Sequence, residues 1–385
     1  MVRLVRGIRR KVKSLLYGDN WPSLVKWYFP KGLKRAVHVS TFSFNNVGDI
    51  VLSAVLRDLF NDNIGVSRWI HRPVNKVVDD TDVQLYNNQD FVVIGGGGLL
   101  LKDTNANDLS GWQWPCSIEK LQGIEVPLIM FAVGYNRFRG QDDFAPVFYD
   151  YINEFVKKAA FVGIRNHGSI NMLRPYLRTK ELQEKLVFQP CMTTLLAHIY
   201  PKLLDYQKKE DYIALNVAFD RQVYRGNNDG ILQSIASVIS VLSKLTKIKY
   251  YSHLRSDDNM LPYLDKCNVP YELVKLSSPY EIIKAYSSPR LVIGMRGHAQ
   301  MIPFGCYTPI LSIVSHDKLK WFLDDIGHPE WGIDVRDNNF EQALLEKALY
   351  SFHNTKKLVD EIIIQQQSLW ETTKENFRTI KKNLN

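Results

Sequence analysis

From Ala36 onward the chain alternates between two apolar patterns. Short runs in which nearly every residue is apolar read as strands buried on both faces. Longer stretches with apolar positions three to four apart read as helices. Residues 37–42 read as a strand and 48–60 as a helix. A buried strand over 91–94 ends in four glycines, and another strand covers 127–133. A helix over 143–159, a strand over 161–165 and a helix over 168–177 follow. After a polar, basic stretch near 195–211 the rhythm restarts. Strands are expected over 212–217, 248–253, 290–293 and 309–314, and helices over 230–245, 280–286 and 299–305. One long helix from about 340 to 384 is expected to close the chain. Strands alternating with helices imply an α/β fold with mostly parallel sheets covered on both faces. The division expected is an extension over 1–35, Rossmann-like domains over 36–205 and 206–340, and a helical segment over 341–385.

The first 35 residues follow a different pattern. Val2, Leu4, Val5, Ile8, Val12, Leu15 and Leu16 fall on one side of a helical projection, with Arg3, Arg6, Arg10 and Lys13 on the other; Trp21, Trp27, Tyr28 and Phe29 follow. An apolar stripe opposite a basic face is the pattern of a helix lying in a membrane interface, and Trp and Tyr favour the headgroup zone. The formal charge of the chain is +9, and residues 1–35 hold ten Lys or Arg against Asp19 alone. The rest of the chain is therefore close to neutral, which argues against a nucleic-acid groove across the fold. An anionic membrane surface is the expected partner of the extension. No run approaches the roughly 20 apolar residues that span a bilayer, and no secretory signal is visible. The four cysteines are scattered, with no C-x-x-C pair, so neither a zinc site nor a disulfide framework is indicated. The expected location is the cytoplasm, at the inner face of the membrane.

In open α/β sheets, ligands bind past the carboxyl ends of strands, and four segments put unusual residues there. Asn46-Val47-Gly48-Asp49 lies between a strand and a helix, where backbone amides can hold an anion. The glycines at 95–98 cost backbone entropy that a backbone cradle for phosphate or carboxylate would explain. No Gly-Lys-Ser/Thr follows, so they are not a P-loop. Arg165 ends a strand, and its planar fork suits a carboxylate or phosphate; Ser169 reads as a helix-start cap. Arg296-Gly297-His298 ends a later strand, and Lys318 starts a helix after the next one. A titratable His beside two cations is a candidate for proton transfer.

Taken together, the four segments resemble the polysaccharide pyruvyltransferase family. The resemblance runs from about residue 38 to 330. It departs from the family pattern at Asn166, where an acid is preferred, at Gly297, where Leu is preferred, and at the strand end Gln189-Pro190-Cys191. The family is similar to GT-B glycosyltransferases, with two Rossmann-like domains facing across a cleft. The resemblance implies phosphoenolpyruvate as co-substrate, with no metal and no other cofactor. It implies as acceptor a sugar of a cell-surface polysaccharide, such as a capsule or exopolysaccharide, or of its lipid-linked precursor. It assigns donor binding to Arg165, His298 and Lys318. On this reading Arg296 and the backbone at Gly96 and Gly97 also hold the donor, and Asn46 the acceptor. His298 is the acid/base, and Asp49 a second candidate, as a base toward the acceptor hydroxyl. Two other classes remain open: a glycosyltransferase using a nucleotide sugar, and a non-catalytic glycan- or membrane-binding protein.

Overall fold

The computed structural model describes residues 32–42, 46–204, 206, 209–226 and 228–384. The amphipathic helix and the aromatic stretch expected within 1–31 lie outside the described residues. Among the described residues, twelve strands form two sheets of six. The first contains Lys34–Ser40 (β1), Val66–Pro73 (β2), Phe91–Leu100 (β3), Leu128–Tyr135 (β4), Phe161–Ile164 (β5) and Leu186–Phe188 (β6). The second contains Glu210–Asn216 (β7), Lys247–Ser252 (β8), Tyr271–Lys275 (β9), Pro289–Gly294 (β10), Ile310–Val314 (β11) and Gly332–Asp334 (β12). Every strand pair is parallel. Central strands such as β4 are buried along their whole length, because helices cover both faces and leave no wet side.

The strand orders are β2-β1-β3-β4-β5-β6 and β12-β11-β10-β7-β8-β9. In the first sheet the chain reverses its direction of travel between β1 and β3, and in the second between β7 and β10. These are the switch points at which doubly wound sheets open a crevice for ligands. The six helices that matter most are Val47–Ile64 (α1), His167–Leu173 (α2), His298–Gly305 (α3), Asp317–Asp325 (α4), Phe340–His353 (α5) and Thr355–Asn383 (α6). Helix α1 follows β1, α3 follows β10, and α4 follows β11, so their N-termini stand at the carboxyl ends of the sheets.

Helix α1 joins the two halves. Asn46 caps its start by accepting from the Gly48 amide at 3.1 Å. Gly65 ends it with φ of 78°, in the left-handed region that glycine enters without penalty. Fourteen of its eighteen residues are buried, which a surface helix would not show. One side packs on β3 and the other meets α3 and the helix Pro279–Ser287 of the second half. The result is one apolar cluster that runs through both sheets.

Two expectations differ from what is seen. The strand expected to stop before the four glycines continues through them as β3. Gly96 and Gly97 have φ of 79° and 92°, and the β3–β4 register shifts between Gly97 and Leu100, so the glycines form an irregular stretch of strand instead of a turn. The long closing helix is two helices, broken at Asn354 (φ −108°, ψ 27°). The break has a packing reason. Helix α5 lies on the second sheet, while α6 crosses back to the first. There Phe377 meets Phe60 at 5.1 Å and Phe131 at 5.3 Å between ring centroids, and Gln189 bonds Thr373 at 3.1 Å.

Phe377 is 2 % exposed, so Phe377→Ala should cost about 3–5 kcal/mol of unfolding free energy. Urea denaturation measures this. A loss below about 1 kcal/mol would mean that α6 is not part of the first core.

Candidate active site

The carboxyl ends of both sheets face each other across a cleft of about 280 Å³. Asn46 and Asp49 reach it from behind β1, Gly97 and Gly98 from β3, Asn136 from β4 and Arg165 from β5. From the other side come Asp220, Arg221 and Arg225 after β7, Arg296 and His298 after β10, and Lys318 after β11. Of the residues singled out in the sequence, Asn46, Asp49, Gly97, Arg165, Arg296, His298 and Lys318 all line this cleft. Gly96 does not. A Cβ placed there would lie 3.4 Å from Leu52, so Gly96 faces α1.

Arg165 is 5 % exposed, and its Nε and Nη2 have no hydrogen-bond partner. Room for the guanidinium depends on Gly134, where a Cβ would come within 2.5 Å of Arg165 Nη2. A buried guanidinium with open donors is costly, and burial pulls its pKa down. Lys318 donates to the neutral Asn136 Oδ1 at 3.1 Å. Burial, then Arg225 and Arg165, hold its ammonium well below the usual range. The two groups form an electropositive pair aimed at open space, the arrangement an anionic ligand completes.

Arg296 differs from its expected role. Its Nε and Nη2 grip Asp257 at 2.8 and 2.5 Å, and its Nη1 lies 2.8 Å from Asp220. With its fork shared between two carboxylates, Arg296 is a neutralised strut of the cleft wall and not a free anion ligand. Ser169 also differs. Asn166 caps α2 by accepting from the Ser169 amide at 2.7 Å, and the Ser169 hydroxyl accepts from the Tyr135 amide at 3.0 Å. Ser169 thus ties α2 to the end of β4.

His298 opens α3 and lies against the start of α1. A Cβ at position 48 would sit 2.1 Å from His298 Nδ1, so only glycine admits the ring. Its Nε2 lies 3.9 Å from Cys191 Sγ. Burial, with Arg165 and Lys318 nearby, pushes its pKa down to about 3, and the imidazole is neutral at physiological pH. Asp49 moves the opposite way. Burial lifts it to about 7 against the pull of Lys318, Asn46 and Arg296. The cleft therefore holds a neutral base and a carboxyl group that titrates near neutrality, the pairing that general acid–base chemistry uses.

Several cleft residues escaped the sequence reading. Arg225 is 2 % exposed and bonds Ser315 at 3.1 Å and Asp220 at 3.1 Å. Burial raises the Asp220 pKa, but Arg225, Arg296 and Lys318 outweigh it and hold the carboxyl low. Arg221 grips Asp103 across the cleft at 2.9 and 3.1 Å. Arg139 likewise reaches Asp317 at 2.6 Å and Asp334 at 2.7 Å. The signal available for Asp220 and Asn136 was position alone, since each follows a buried strand at its carboxyl end.

Two facing Rossmann-like domains with a polar cleft at their switch points form a GT-B-like arrangement. Solved structures agree on the fold. UDP-GlcNAc 2-epimerase from Neisseria meningitidis superposes with a TM-score of 0.52 at 11% identity, over 88% of this chain and 99% of that one. A glycosyltransferase from Rickettsia africae gives 0.51 at 13%, over 91% and 97%. A Thermobaculum terrenum O-GlcNAc transferase mutant gives 0.51 at 10%, over 92% and 69%. No curated protein matches in sequence. Within this fold class the chain belongs to the polysaccharide pyruvyl transferase family, whose profile matches residues 46–317.

Asp49 gives a signed pH dependence. Its folded pKa lies above its ordinary value of 3.8, at about 7. Its contribution to stability is therefore full below pH 3.8 and is lost as pH rises through 7. Asp49→Asn should stabilise the protein increasingly between those limits and level off above. Denaturant unfolding across the pH range checks this, and a difference that does not vary with pH rejects the shift.

Proposed function

We propose that the cleft transfers pyruvate from phosphoenolpyruvate to two hydroxyls of one sugar, in a polysaccharide or its lipid-linked precursor, forming a cyclic ketal. The observation that carries this reading is the buried, unpartnered Arg165 guanidinium beside Lys318. Phosphoenolpyruvate is small and carries both a carboxylate and a phosphate, and such a pair of cations can hold one of each.

The reaction removes two hydroxyl protons from the sugar. One is matched by the proton gained at C3 of the enol, and the other leaves with phosphate. Protonation of C3 makes C2 electrophilic, and the first hydroxyl oxygen bonds there. Loss of phosphate then regenerates an oxocarbenium carbon, which the second hydroxyl oxygen closes. Asp49, still largely protonated below pH 7, is the group suited to protonate C3. Neutral His298 is suited to accept the hydroxyl proton, and the negative donor favours the imidazolium so formed. Fixed cations around the leaving phosphate lower the barrier without reorganising. Asn46, at the cleft wall beside Asp49, is positioned for the acceptor.

Incubation with phosphoenolpyruvate and synthetic or lipid-linked glycans tests the reading. Phosphate release should match a gain in acceptor mass equal to pyruvate less water. Transfer from a nucleotide sugar instead, or phosphate release with no mass gain, would overturn it.

Two variants should separate binding from chemistry. Arg165→Met should raise the KM for phosphoenolpyruvate by about 10- to 100-fold, the worth of a charged hydrogen bond, while raising the melting temperature, because it removes an unpaired buried charge. His298→Ala should lower kcat by about 100-fold or more. Steady-state kinetics and thermal unfolding read both. An Arg165→Met enzyme with unchanged KM, or a His298→Ala enzyme with unchanged kcat, removes that residue from its role.

The proposal extends to residues 1–35 as the segment that holds the enzyme at an anionic membrane, where lipid-linked glycans are built. Each basic residue near such a surface contributes about 1 kcal/mol. Deleting the segment should abolish flotation with anionic liposomes, and flotation that survives the deletion would assign it another role.

A further inference from the structure

We propose that Asn136 is a positioning residue for capture of the anionic donor, acting across the cleft between the two domains. Its carboxamide oxygen, carried by the first domain, fixes Lys318 and His316 of the second. The inference rests on the reading of the cleft as a phosphoenolpyruvate site.

Asn136 directly follows β4, and its amide donates to Leu100 O at 2.9 Å, so the sheet sets its place. One atom, Oδ1, accepts from His316 Nε2 at 2.9 Å and from Lys318 Nζ at 3.1 Å. Both donors are some 180 residues away in sequence and belong to the other sheet. Two donors on one oxygen also fix the orientation of the carboxamide, with Nδ2 turned toward β3. Gly98 leaves room for that Nδ2, since a Cβ there would lie 2.9 Å from it.

His316 is fully buried and stacks on Phe138 with ring centroids 4.0 Å apart. Its Nδ1 has no partner, so the tautomer with hydrogen on Nε2 strands an acceptor and not an N–H group. The choice of a carboxamide has its own consequence. A carboxylate in this place would hold Lys318 more strongly but cancel its charge, whereas a neutral oxygen orients the ammonium and leaves that charge for a ligand. Arg165 and Asn136 sit on one domain, Lys318 and His316 on the other.

A double-mutant cycle tests this, with isothermal titration by phosphoenolpyruvate and, separately, by inorganic phosphate. Asn136→Ala should weaken binding by about tenfold and raise the KM for phosphoenolpyruvate with little change in kcat. In a Lys318→Met background the same substitution should cost almost nothing more, because the residue acts through Lys318. Losses that add in the double variant would overturn the inference. A ligand-free readout is labelling by an amine-acylating reagent, followed by peptide mass spectrometry. Labelling of Lys318 should rise in Asn136→Ala relative to Lys320, an exposed residue of the same helix. An unchanged ratio would also overturn it. Should the native protein bind phosphate but not phosphoenolpyruvate, the donor reading falls, while the cycle on phosphate still decides the role of Asn136.

Discussion

A positive charge kept out of water without a countercharge is the constraint on which the cleft depends. Arg165 lies buried with two nitrogens unpaired, and Lys318 hydrogen-bonds a neutral carboxamide oxygen instead of a carboxylate. Neither state would persist in a protein selected for stability alone. The surroundings show what is needed to maintain it. Other cations at the cleft are matched: Arg296 by Asp257 and Asp220, Arg225 by Asp220, and Arg221 by Asp103. Matching these and leaving two unmatched concentrates the field at one place, and burial together with that field holds His298 neutral.

Glycine is the means by which these side chains reach one another. At position 48 it admits the His298 ring, at 134 the Arg165 guanidinium and at 98 the Asn136 carboxamide. In each case a residue of the first domain gives up its side chain so that a functional group can occupy the volume. The four-glycine run was conspicuous in the sequence, and two of its residues, Gly97 and Gly98, line the cleft. Its backbone bends an otherwise regular strand at the switch point and clears space for groups arriving from elsewhere.

The sequence revealed the interior of both sheets well. The expected strands at 37–42, 127–133, 290–293 and 309–314 coincide with β1, β4, β10 and β11 within about three residues. No strand was expected for β2, β9 or β12, and β6 was marked only by its end at Gln189-Pro190-Cys191; these four are the sheet edges. An edge strand pairs on one side only and is partly wet, so its apolar signal weakens. β6 and β12 have three residues each, and β9 is mostly exposed. The cleft was legible where chemistry clustered in the chain, as at Arg296-Gly297-His298, and illegible where one polar residue followed a strand, as at Asn136. The pairing that neutralises Arg296 joins residues 39 apart, a relation no local pattern encodes.

The return of α6 to the first domain bears on how the protein is made. Phe377, near the end of the chain, completes the aromatic cluster around Phe60 and Phe131. A ribosome therefore releases all of the second sheet before the first core can be sealed. Until then the aromatic face formed by Phe60 and Phe131 lacks its C-terminal cover.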